Sequence, residues 1–416
     1  MQGIAYAKQY VLDKSDNNKH DFKLTKIKNT DNLCTIKITS SDDNLIGEIT
    51  IEKAIDSAFQ NSSKLTNKQL HNCAILHIPK IYDTNNSQSL LPVLCYFAMS
   101  HARIWKCQNI IFACDFDESI ATRIIEVLRL EPLNHCQTVT INNQSHTIFA
   151  QRIKYAIYNT YELCETIYKS FLQSEFINEI LETFEAWLIE FFQDSWCTAI
   201  ATRSISKEQY ITSLYNMHQF VRHTTRLAAR CVACSDDREL RNHYIYHLKG
   251  EINHEIIIES DLTGLGVDLD YILNAHVAHK ATSKFIVLQE STIGYRQDPV
   301  MMLACPFIAE GLTANISHDF VDHLHATIQS WGIDNPETVS KFLTSHMHFD
   351  GGVDGHWLRV IMMTHKFIKT ELQLQHYLNT MQLAMSGYAH GLNANIDDLE
   401  LWRPAVTATE SLAVPA

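Results

Sequence analysis

Residues 242–266 read NHYIYHLKGEINHEIIIESDLTGLG. The density of Ile and Leu and the terminal Gly-Leu-Gly predict one continuous helix, which carries Glu251 and His254 three residues apart. Residues at i and i+3 lie on the same face of a helix, so a carboxylate and an imidazole in this spacing can reach one metal ion. Glu-x-x-His also arises often by chance, and this pair alone is weak evidence for a metal site.

A second segment, DPVMMLACPFIAEGL at residues 298–312, places Glu310 among apolar side chains. At helical spacing, Leu303, Phe307 and Glu310 share a face that is predicted to point into the core. A carboxylate in such a place is costly unless it is paired or bound to a cation. Glu310 is therefore a second candidate ligand.

A third segment, FLTSHMHFDGGVDGHW at residues 342–357, offers His346 and Asp350 at i and i+4, and His356 six residues further on. Oxygen and imidazole ligands without thiolate suit iron or manganese with open coordination positions, the kind of site at which O₂ binds. Two metal ions need a bridging carboxylate and about three protein ligands each. A zinc hydrolase would more usually show three His, or two His and one Glu, around one ion. Three carboxylates and three imidazoles meet the count for two ions, namely Glu251, His254, Glu310, His346, Asp350 and His356.

These segments resemble the haem-oxygenase-like di-iron oxidases and oxygenases, also called iron-containing redox enzymes, over about residues 210–388. The family places a Glu and a His on one helix, a bridging Glu on the next and His-x-x-x-Asp-x-x-His on a third. The resemblance implies an all-α helical bundle in which the six residues hold two Fe ions, the second expected to be the more labile. It implies O₂ as co-substrate and no catalytic residue beyond the metal ligands.

The spacing of the last two ligands departs from the family, because five residues separate Asp350 from His356 where the family has two. Three glycines in this interval predict a break in the helix that returns His356 to the metal. The alternative is that Asp354 or His348 takes its place.

Other polar residues of the C-terminal half are candidates for positioning the metal ligands or the substrate. Two histidines of the preceding helix could hold a carboxylate or a substrate beside the metal, His218 and His223. Three arginines could bind a substrate carboxylate, Arg222, Arg226 and Arg359. The remaining isolated histidines are interpreted as packing or surface residues, namely His243, His247, His276, His279, His323, His325 and His365.

Long helical periodicity begins near residue 160. Ser206-Lys-Glu-Gln predicts a capping box, and Asp236 and Asp237 predict the start of the next helix. Residues 285–288 and 294–299 are predicted to form a connection. Residues 299–331 are predicted as a helix interrupted near Pro306, and residues 365–392 as a final helix.

The first 157 residues predict an α+β domain. Alternating segments 34–40 and 45–52 predict a β-hairpin, followed by a helix at 52–60. A strand at 73–81, a helix at 87–105 and a strand at 109–114 predict a parallel strand pair joined by a crossover helix. This order resembles the acyl-CoA-dependent N-acetyltransferase (GNAT) fold.

The GNAT family binds the cofactor pyrophosphate on an Arg/Gln-x-x-Gly-x-Gly/Ala loop. The sequence has IYDTNNSQSL at residues 81–90, with no glycine to let the backbone approach phosphate and with Asp83 to repel it. No cofactor-binding residue is therefore assigned. The expectation is a degenerate domain that serves packing, dimerisation or substrate delivery.

The composition limits the partners. A net charge of −13 argues against binding to nucleic acid or to an anionic membrane. The sequence has no apolar run long enough to span a bilayer and no secretory leader at its N-terminus. Eleven scattered cysteines, Cys231 and Cys234 among them, predict reduced thiols in the cytoplasm. A small-molecule substrate and a homodimer are the expected partners.

Together these observations predict a GNAT-like α/β domain at residues 1–157, a haem-oxygenase-like helical di-iron domain at 158–405 and a tail at 406–416. The resemblance implies N-oxygenation, oxidative decarboxylation or C–C cleavage of an amino-acid- or fatty-acid-like metabolite. Two alternatives stay open. One is a GNAT-type acyltransferase whose helical domain is structural. The other is a ligand-binding haem-oxygenase-like module without redox turnover. A thiamin-degrading hydrolase on this fold would need a nucleophilic cysteine, and no cysteine carries a signature for one.

Overall fold

The computed structural model describes residues 2–15, 22–54, 72–82, 87–114, 119–132, 138–141, 144–274, 278–352 and 355–398. The chain divides into two compact units. The sheet unit contains the described residues of 13–183 together with 370–372. The helical unit contains those up to Leu12, those of 184–369 and those from Gln373 onward. The predicted boundary after residue 157 stays a prediction, and the predicted tail lies outside the described residues.

The sheet unit is built on one mixed sheet whose strands follow the order β1-β2-β3-β4-β6-β9-β7, with β5 beside β3 and β8 beside β9. The pairs are antiparallel except for β4 and β6, which are parallel. The strands are β1 (Phe22–Thr30), β2 (Leu33–Ser40), β3 (Leu45–Lys53), β4 (Cys73–Leu76), β5 (Lys80–Ile81), β6 (Asn109–Cys114), β7 (Glu131–Pro132), β8 (Thr138–Ile141) and β9 (Gln144–Arg152).

The predicted hairpin is confirmed as β2 and β3, in which Ile36 pairs with Ile49. Side chains of a strand alternate between the two faces of a sheet, and every second residue of β2, including Cys34 and Ile36, is buried. Asp43 in the turn has a φ of 61°, a conformation that Asp tolerates better than most residues. The alternation that predicted the hairpin is therefore the burial pattern of one sheet face.

The predicted parallel pair is also confirmed, because Ser87–Ile104 is a helix that connects β4 to β6. The predicted strand at 73–81 is interrupted between β4 and β5. Pro79 lies in the interruption and lacks the backbone N–H that a ladder requires. The predicted helix at 52–60 lies largely outside the described residues, and the strand β1 and the helix Gln2–Ser15 were not predicted. Besides Ser87–Ile104, the helices that begin in the sheet unit include Ser119–Leu128, Ile153–Leu163 and Thr166–Phe191, whereas Gln2–Ser15 begins in the helical unit.

A buried ionic cluster lies within the sheet unit. The Arg103 guanidinium donates from Nε to Glu179 at 2.6 Å and from Nη1 to Glu371 at 2.9 Å. Tyr96 donates its hydroxyl to the second oxygen of Glu371 at 2.5 Å, and Ser100 donates to Glu179 at 2.7 Å. Both carboxylates are almost fully buried. One cation therefore bridges two buried anions, and each anion accepts a further hydrogen bond.

Replacing Arg103 with Met should lower the free energy of unfolding by about 3–5 kcal/mol, because the change leaves two buried carboxylates without their cation. Urea denaturation followed by circular dichroism measures the loss. The control is Lys23→Met, which removes an exposed ion pair with Asp43 and should change stability by no more than about 0.5 kcal/mol. Equal effects in the two variants would contradict the assigned role of Arg103.

The helical unit consists of helices joined by short connections. Its α-helices after Thr166–Phe191 are Ser195–Ala201, Lys207–Cys234, Arg238–Glu251, His254–Gly264, Leu269–Asn274, Lys280–Gln289, Pro299–Met302, Ala304–Ala314, His318–Ser330, Lys341–Asp350, His356–Phe367 and Glu371–Asp397. A π-helix spans Glu290–Tyr295 and a 3₁₀-helix spans Pro336–Val339.

Two predicted helix starts are confirmed. Ser206 accepts from the Gln209 backbone N–H, and the Gln209 side chain accepts from the Ser206 N–H, which completes the capping box. Asp237 accepts from the backbone N–H groups of Glu239 and Leu240.

Four predicted boundaries in this unit are wrong. The helix predicted over 242–266 is divided at Ile252 and Asn253. Residues 285–288 are helical, because Ala281, Phe285 and Gln289 form a buried stripe at the helical period. The interruption predicted near Pro306 is present at Leu303, but the second break, after Ala314, was not predicted. The predicted final helix is two helices, separated after Phe367.

Among the described residues, no single helix is long and apolar enough to span a membrane. One bent pair, Pro299–Ala314 with His318–Ser330, meets the criterion by length and composition only.

Candidate metal centre

Glu251 and His254 lie on two helices that meet at a sharp joint. Glu251 is the last residue of Arg238–Glu251, and His254 is the first residue of the next helix. Asn253 between them has the left-handed conformation, with φ of 70°. The joint leaves Glu251 Oε2 3.5 Å from His254 Nδ1. The prediction that one helix face aligns the two residues is therefore wrong, although they do lie side by side.

Replacing Asn253 with Val should cost about 1–2 kcal/mol of unfolding free energy, because a β-branched residue fits the left-handed region poorly. Asn253→Gly should be nearly neutral, since glycine adopts this conformation readily. Thermal unfolding of both variants tests the difference. A Val variant as stable as the Gly variant would show that the joint is not held at this residue.

Glu310 is the most deeply constrained carboxylate of the site. It lies on the helix Ala304–Ala314 and is only 6% exposed. Neither carboxylate oxygen has a hydrogen-bond partner among the described residues. Burial, and then the negative charges of Asp350 and Glu251, raise the pKa of Glu310 well above its ordinary value. The side chain is thus held where an anion is costly unless a cation or a proton accompanies it.

His247 lies between two of the predicted ligands. Its Nδ1 is 3.2 Å from Glu310 Oε1, without the geometry of a hydrogen bond, and its Nε2 is 3.8 Å from Glu251 Oε1. From the sequence, His247 was interpreted as a packing or surface residue, and its position between Glu251 and Glu310 was not predicted. Its spacing of four residues to Glu251 on one helix was the available signal.

Asp350 and His356 occupy the ends of two consecutive helices. Asp350 ends the helix Lys341–Asp350, and His356 begins the helix His356–Phe367, with Nδ1 3.4 Å from Asp350 Oδ1. The predicted break thus returns His356 to Asp350. Of the alternative ligands, His348 is exposed and Asp354 lies outside the described residues. Thr313 donates its hydroxyl to Asp350 Oδ2 at 2.6 Å, which fixes the orientation of that carboxylate.

Two glycines make room for this arrangement. A Cβ on Gly250 would lie 3.0 Å from His356 Cε1, so the imidazole packs against a bare helix backbone. A Cβ on Gly355 would overlap the carbonyl oxygen of Asp350. The sequence correctly predicts that the glycines between Asp350 and His356 break the helix. Nothing in the local sequence indicates the role of Gly250.

His254 and His346 form a pair beside the carboxylates. His346 donates from Nδ1 to the Phe342 carbonyl at 2.7 Å, and its Nε2 lies 3.3 Å from His254 Nδ1. Burial lowers the pKa of His346. Burial also opposes charge on His254, but the hydrogen bond and the charge of Glu251 outweigh it and raise the pKa of His254. In turn, burial disfavours charge on Glu251, while His254 and His247 outweigh it and lower the pKa of Glu251 to about 2.

The ligand atoms form two groups that share one residue. Atoms of His247, Glu251 and Glu310 lie within 4.8 Å of one another, and so do atoms of Glu310, Asp350 and His356. Four of the six predicted ligands are therefore in these groups, joined by His247. The other two belong to neither group: His254 lies next to Glu251, and His346 lies next to His254.

A cavity of about 80 Å³ adjoins this cluster. His247, Glu251, Glu310, His346 and Asp350 contribute to one part of its wall. Most of the remaining wall is apolar and includes Met217, Phe220, Val221, Leu227, Met302 and Phe342. The cavity therefore places an apolar compartment directly against the carboxylates and imidazoles.

The other candidate residues lie elsewhere. His218 Nε2 is 3.0 Å from Glu259 and His223 contacts Arg226 at 2.6 Å, and neither histidine is part of the cavity wall. Arg222, Arg226 and Arg359 are exposed and are also absent from that wall.

Two cysteines, Cys231 and Cys305, do line the cavity. Burial raises the pKa of the Cys305 thiol to about 12 and that of Cys231 higher still, although a hydrogen bond from Tyr244 opposes the latter. A thiol that stays protonated is a poor nucleophile.

No protein-family model matches this chain. No curated protein sequence matches it. Among solved structures, it is similar to a domain of unknown function with a haem-oxygenase-like fold from Shewanella denitrificans OS217. The identity is 18%, the TM-score is 0.47, and the match covers 54% of this chain and 94% of that one. It is also similar to a TenA homologue from Pseudomonas syringae pv. tomato DC3000, with 14% identity, a TM-score of 0.42 and coverage of 54% and 93%. At these values the likeness carries no argument about activity, metal or substrate.

Proposed function

We propose that the helical unit binds two metal ions on either side of Glu310 and acts as a non-haem di-iron oxidase or oxygenase on a small organic molecule. His247, Glu251 and Glu310 are assigned to one ion, and Glu310, Asp350 and His356 to the other. His254 and His346 remain candidate ligands of the first ion, because His254 lies beside Glu251 and His346 lies beside His254. The observation that carries the proposal is the buried Glu310 carboxylate, which has no hydrogen-bond partner among the described residues.

The charge of the cluster fits a pair of cations. Three carboxylates are buried here, and those of Glu251 and Asp350 each have an oxygen within 4.8 Å of an oxygen of Glu310. Two divalent ions would supply four positive charges against these three negative ones, which would relieve both the repulsion and the missing hydrogen bonds of Glu310. A single proton on Glu310 would relieve only part of this cost.

The donor set favours iron or manganese. The two groups contain only carboxylate and imidazole donors, although Cys231 and Cys305 line the same cavity. When bound in a site with open positions, two ferrous ions supply the reducing equivalents that activate O₂ for oxidation of a substrate.

The protein's own part in the reaction is to orient the ligands and to hold the substrate. The Thr313 hydroxyl fixes the Asp350 carboxylate, and the Phe342 carbonyl holds the His346 ring so that Nε2 carries the lone pair. The apolar cavity wall would place a substrate against the cluster and reduce the access of bulk water. N-oxygenation, oxidative decarboxylation and C–C cleavage all remain within this proposal.

Iron binding provides the first test. Wild-type protein reconstituted anaerobically with ferrous iron should hold about two ions, and Glu310→Gln should hold at most about one, because the shared carboxylate would be lost. Glu208→Gln, at an exposed position in a first helical turn, is the matched control and should bind as the wild type does. Metal analysis of the desalted proteins measures the content. O₂ exposure of the loaded wild type should then give a transient visible absorbance.

The same variants test the charge argument without any turnover. In metal-free protein, Glu310→Gln should raise the free energy of unfolding by about 1–3 kcal/mol, because it removes one of three crowded buried carboxylates. Added ferrous iron should stabilise the wild type and the Glu208→Gln control more than Glu310→Gln. Fewer than about one iron in the reconstituted wild type would overturn the proposal and favour a ligand-binding module without redox turnover.

For the sheet unit, we propose the GNAT-like assignment, and the parallel pair of β4 and β6 in an otherwise antiparallel sheet supports it. The sequence has no glycine between Gly47 and Gly250, so a glycine-rich pyrophosphate loop is not available in this unit. We therefore expect no acyl-CoA binding. Micromolar binding of acetyl-CoA in calorimetry would instead favour the acyltransferase alternative.

A further inference from the structure

Gln289 lies in the mainly apolar part of the cavity wall, which also includes the polar side chains of Thr224, Tyr244 and Tyr388. It lines the cavity, is only 4% exposed, and its side-chain oxygen has no hydrogen-bond partner among the described residues. It is also the last residue of the helix Lys280–Gln289, directly before the π-helix Glu290–Tyr295. Single π-helical turns within helical segments occur frequently at functional sites.

The amide is unfavourable for folding as it stands. A buried acceptor without a partner loses the hydrogen bonds that it would make with water, whereas an apolar residue of similar shape would lose nothing. Most residues of the same wall are apolar, Phe220, Val221 and Met302 among them. A hydrogen-bond donor on a bound molecule would supply the partner that the protein does not.

The charged side chains of the cavity wall limit the kind of ligand that can carry this hydrogen-bond donor. None of the described residues that line the cavity is a lysine or an arginine, so away from the proposed metal ions and their imidazoles a substrate carboxylate would find no cationic side chain. The three carboxylates of the cluster would be neutralised by the proposed metals and would then not select an ammonium group. An uncharged polar group therefore fits Gln289 best, and oxidative decarboxylation, which needs a substrate carboxylate, becomes the least favoured of the three candidate reactions.

The size of the cavity is also limiting. Its 80 Å³ could hold roughly six water molecules, and this corresponds to a ligand of about six to ten non-hydrogen atoms. We propose that the cavity selects a small, uncharged, mainly apolar molecule and that Gln289 determines this specificity by accepting a hydrogen bond from the molecule's one polar group. As a statement about the substrate, this inference rests on the proposed function, but the binding preference can be measured without it.

The test uses three ligands of similar length, hexanamide, hexanoate and hexylamine, on full-length protein in metal-free and ferrous forms, by equilibrium dialysis near pH 7. Hexanamide should bind at least about tenfold more tightly than either charged ligand in the ferrous form. A charged ligand gives up its hydration shell without an oppositely charged side chain to replace it, whereas the amide gains a hydrogen bond to Gln289. Gln289→Met should weaken hexanamide binding by about three- to tenfold.

Gln289→Met should at the same time raise the melting temperature of the ligand-free protein by about 2–4 °C, because it removes a buried group without a partner. The matched control is Gln329→Met, at an exposed position, which should change neither property. A residue that only supports the fold would instead lower the melting temperature when replaced. If Gln289→Met fails to fold, its role is refuted.

Two results would overturn the inference. One is hexanoate or hexylamine binding as tightly as hexanamide in wild-type protein, a comparison that needs no variant. The other is unchanged hexanamide affinity in folded Gln289→Met. Iron content is measured on the same samples, so a failure of the proposed metal centre is distinguished from a failure of the Gln289 preference.

Discussion

The site depends on one constraint, a carboxylate that is buried by the fold and given no hydrogen-bond partner in the described part of the chain. Glu310 lies on a helix whose other residues are mostly buried, so its side chain cannot turn toward water without unpacking the helix. Gly311, the next residue, allows the close approach of Phe184 and Trp357, because a Cβ there would lie 2.7 Å from each. The position of the anion is therefore fixed by packing, and its charge must be compensated by what lies around it.

Two surrounding segments bring carboxylates and imidazoles to Glu310. The helix that ends at Glu251 contributes an imidazole and a carboxylate, and the segment around Asp350 and His356 contributes the same two groups. Thr313, three residues after Glu310, reaches Asp350 through its hydroxyl and so links two of the contributing helices. The cluster is thus connected through the same helix that carries its central residue.

Much of this was available in the sequence. The alternation of apolar and polar residues at 34–40 and 45–52 corresponds to one buried face of the sheet. The order strand, helix, strand predicted a parallel strand pair. Glu310 was recognised because a buried acid is rare and has to be explained, whereas Glu251 and Asp350 were recognised by their spacing to His254 and His346 and by the resemblance to the di-iron family.

What was missed has physical reasons as well. The helix break at Asn253 could not be seen, because Ile and Glu on both sides fit a helix and only the backbone conformation of one residue marks the joint. His247 was missed because a single histidine has no signature until the helix bearing Glu310 is packed against it. The role of Gly250 depends on a ring more than one hundred residues away in sequence, and local patterns do not report such contacts.

The left-handed joint between Glu251 and His254 has a further consequence for how such a centre can change. In an unbroken helix, inserting one residue rotates everything that follows by about 100° and would carry one of the two groups to the opposite side. The break at Ile252 and Asn253 makes the orientations of Glu251 and His254 independent of each other. One helix can therefore change its length or rotate while the side chain on the other keeps its direction. Relatives of this chain could therefore vary the distance between the carboxylate and the imidazole and still direct both toward the same metal position.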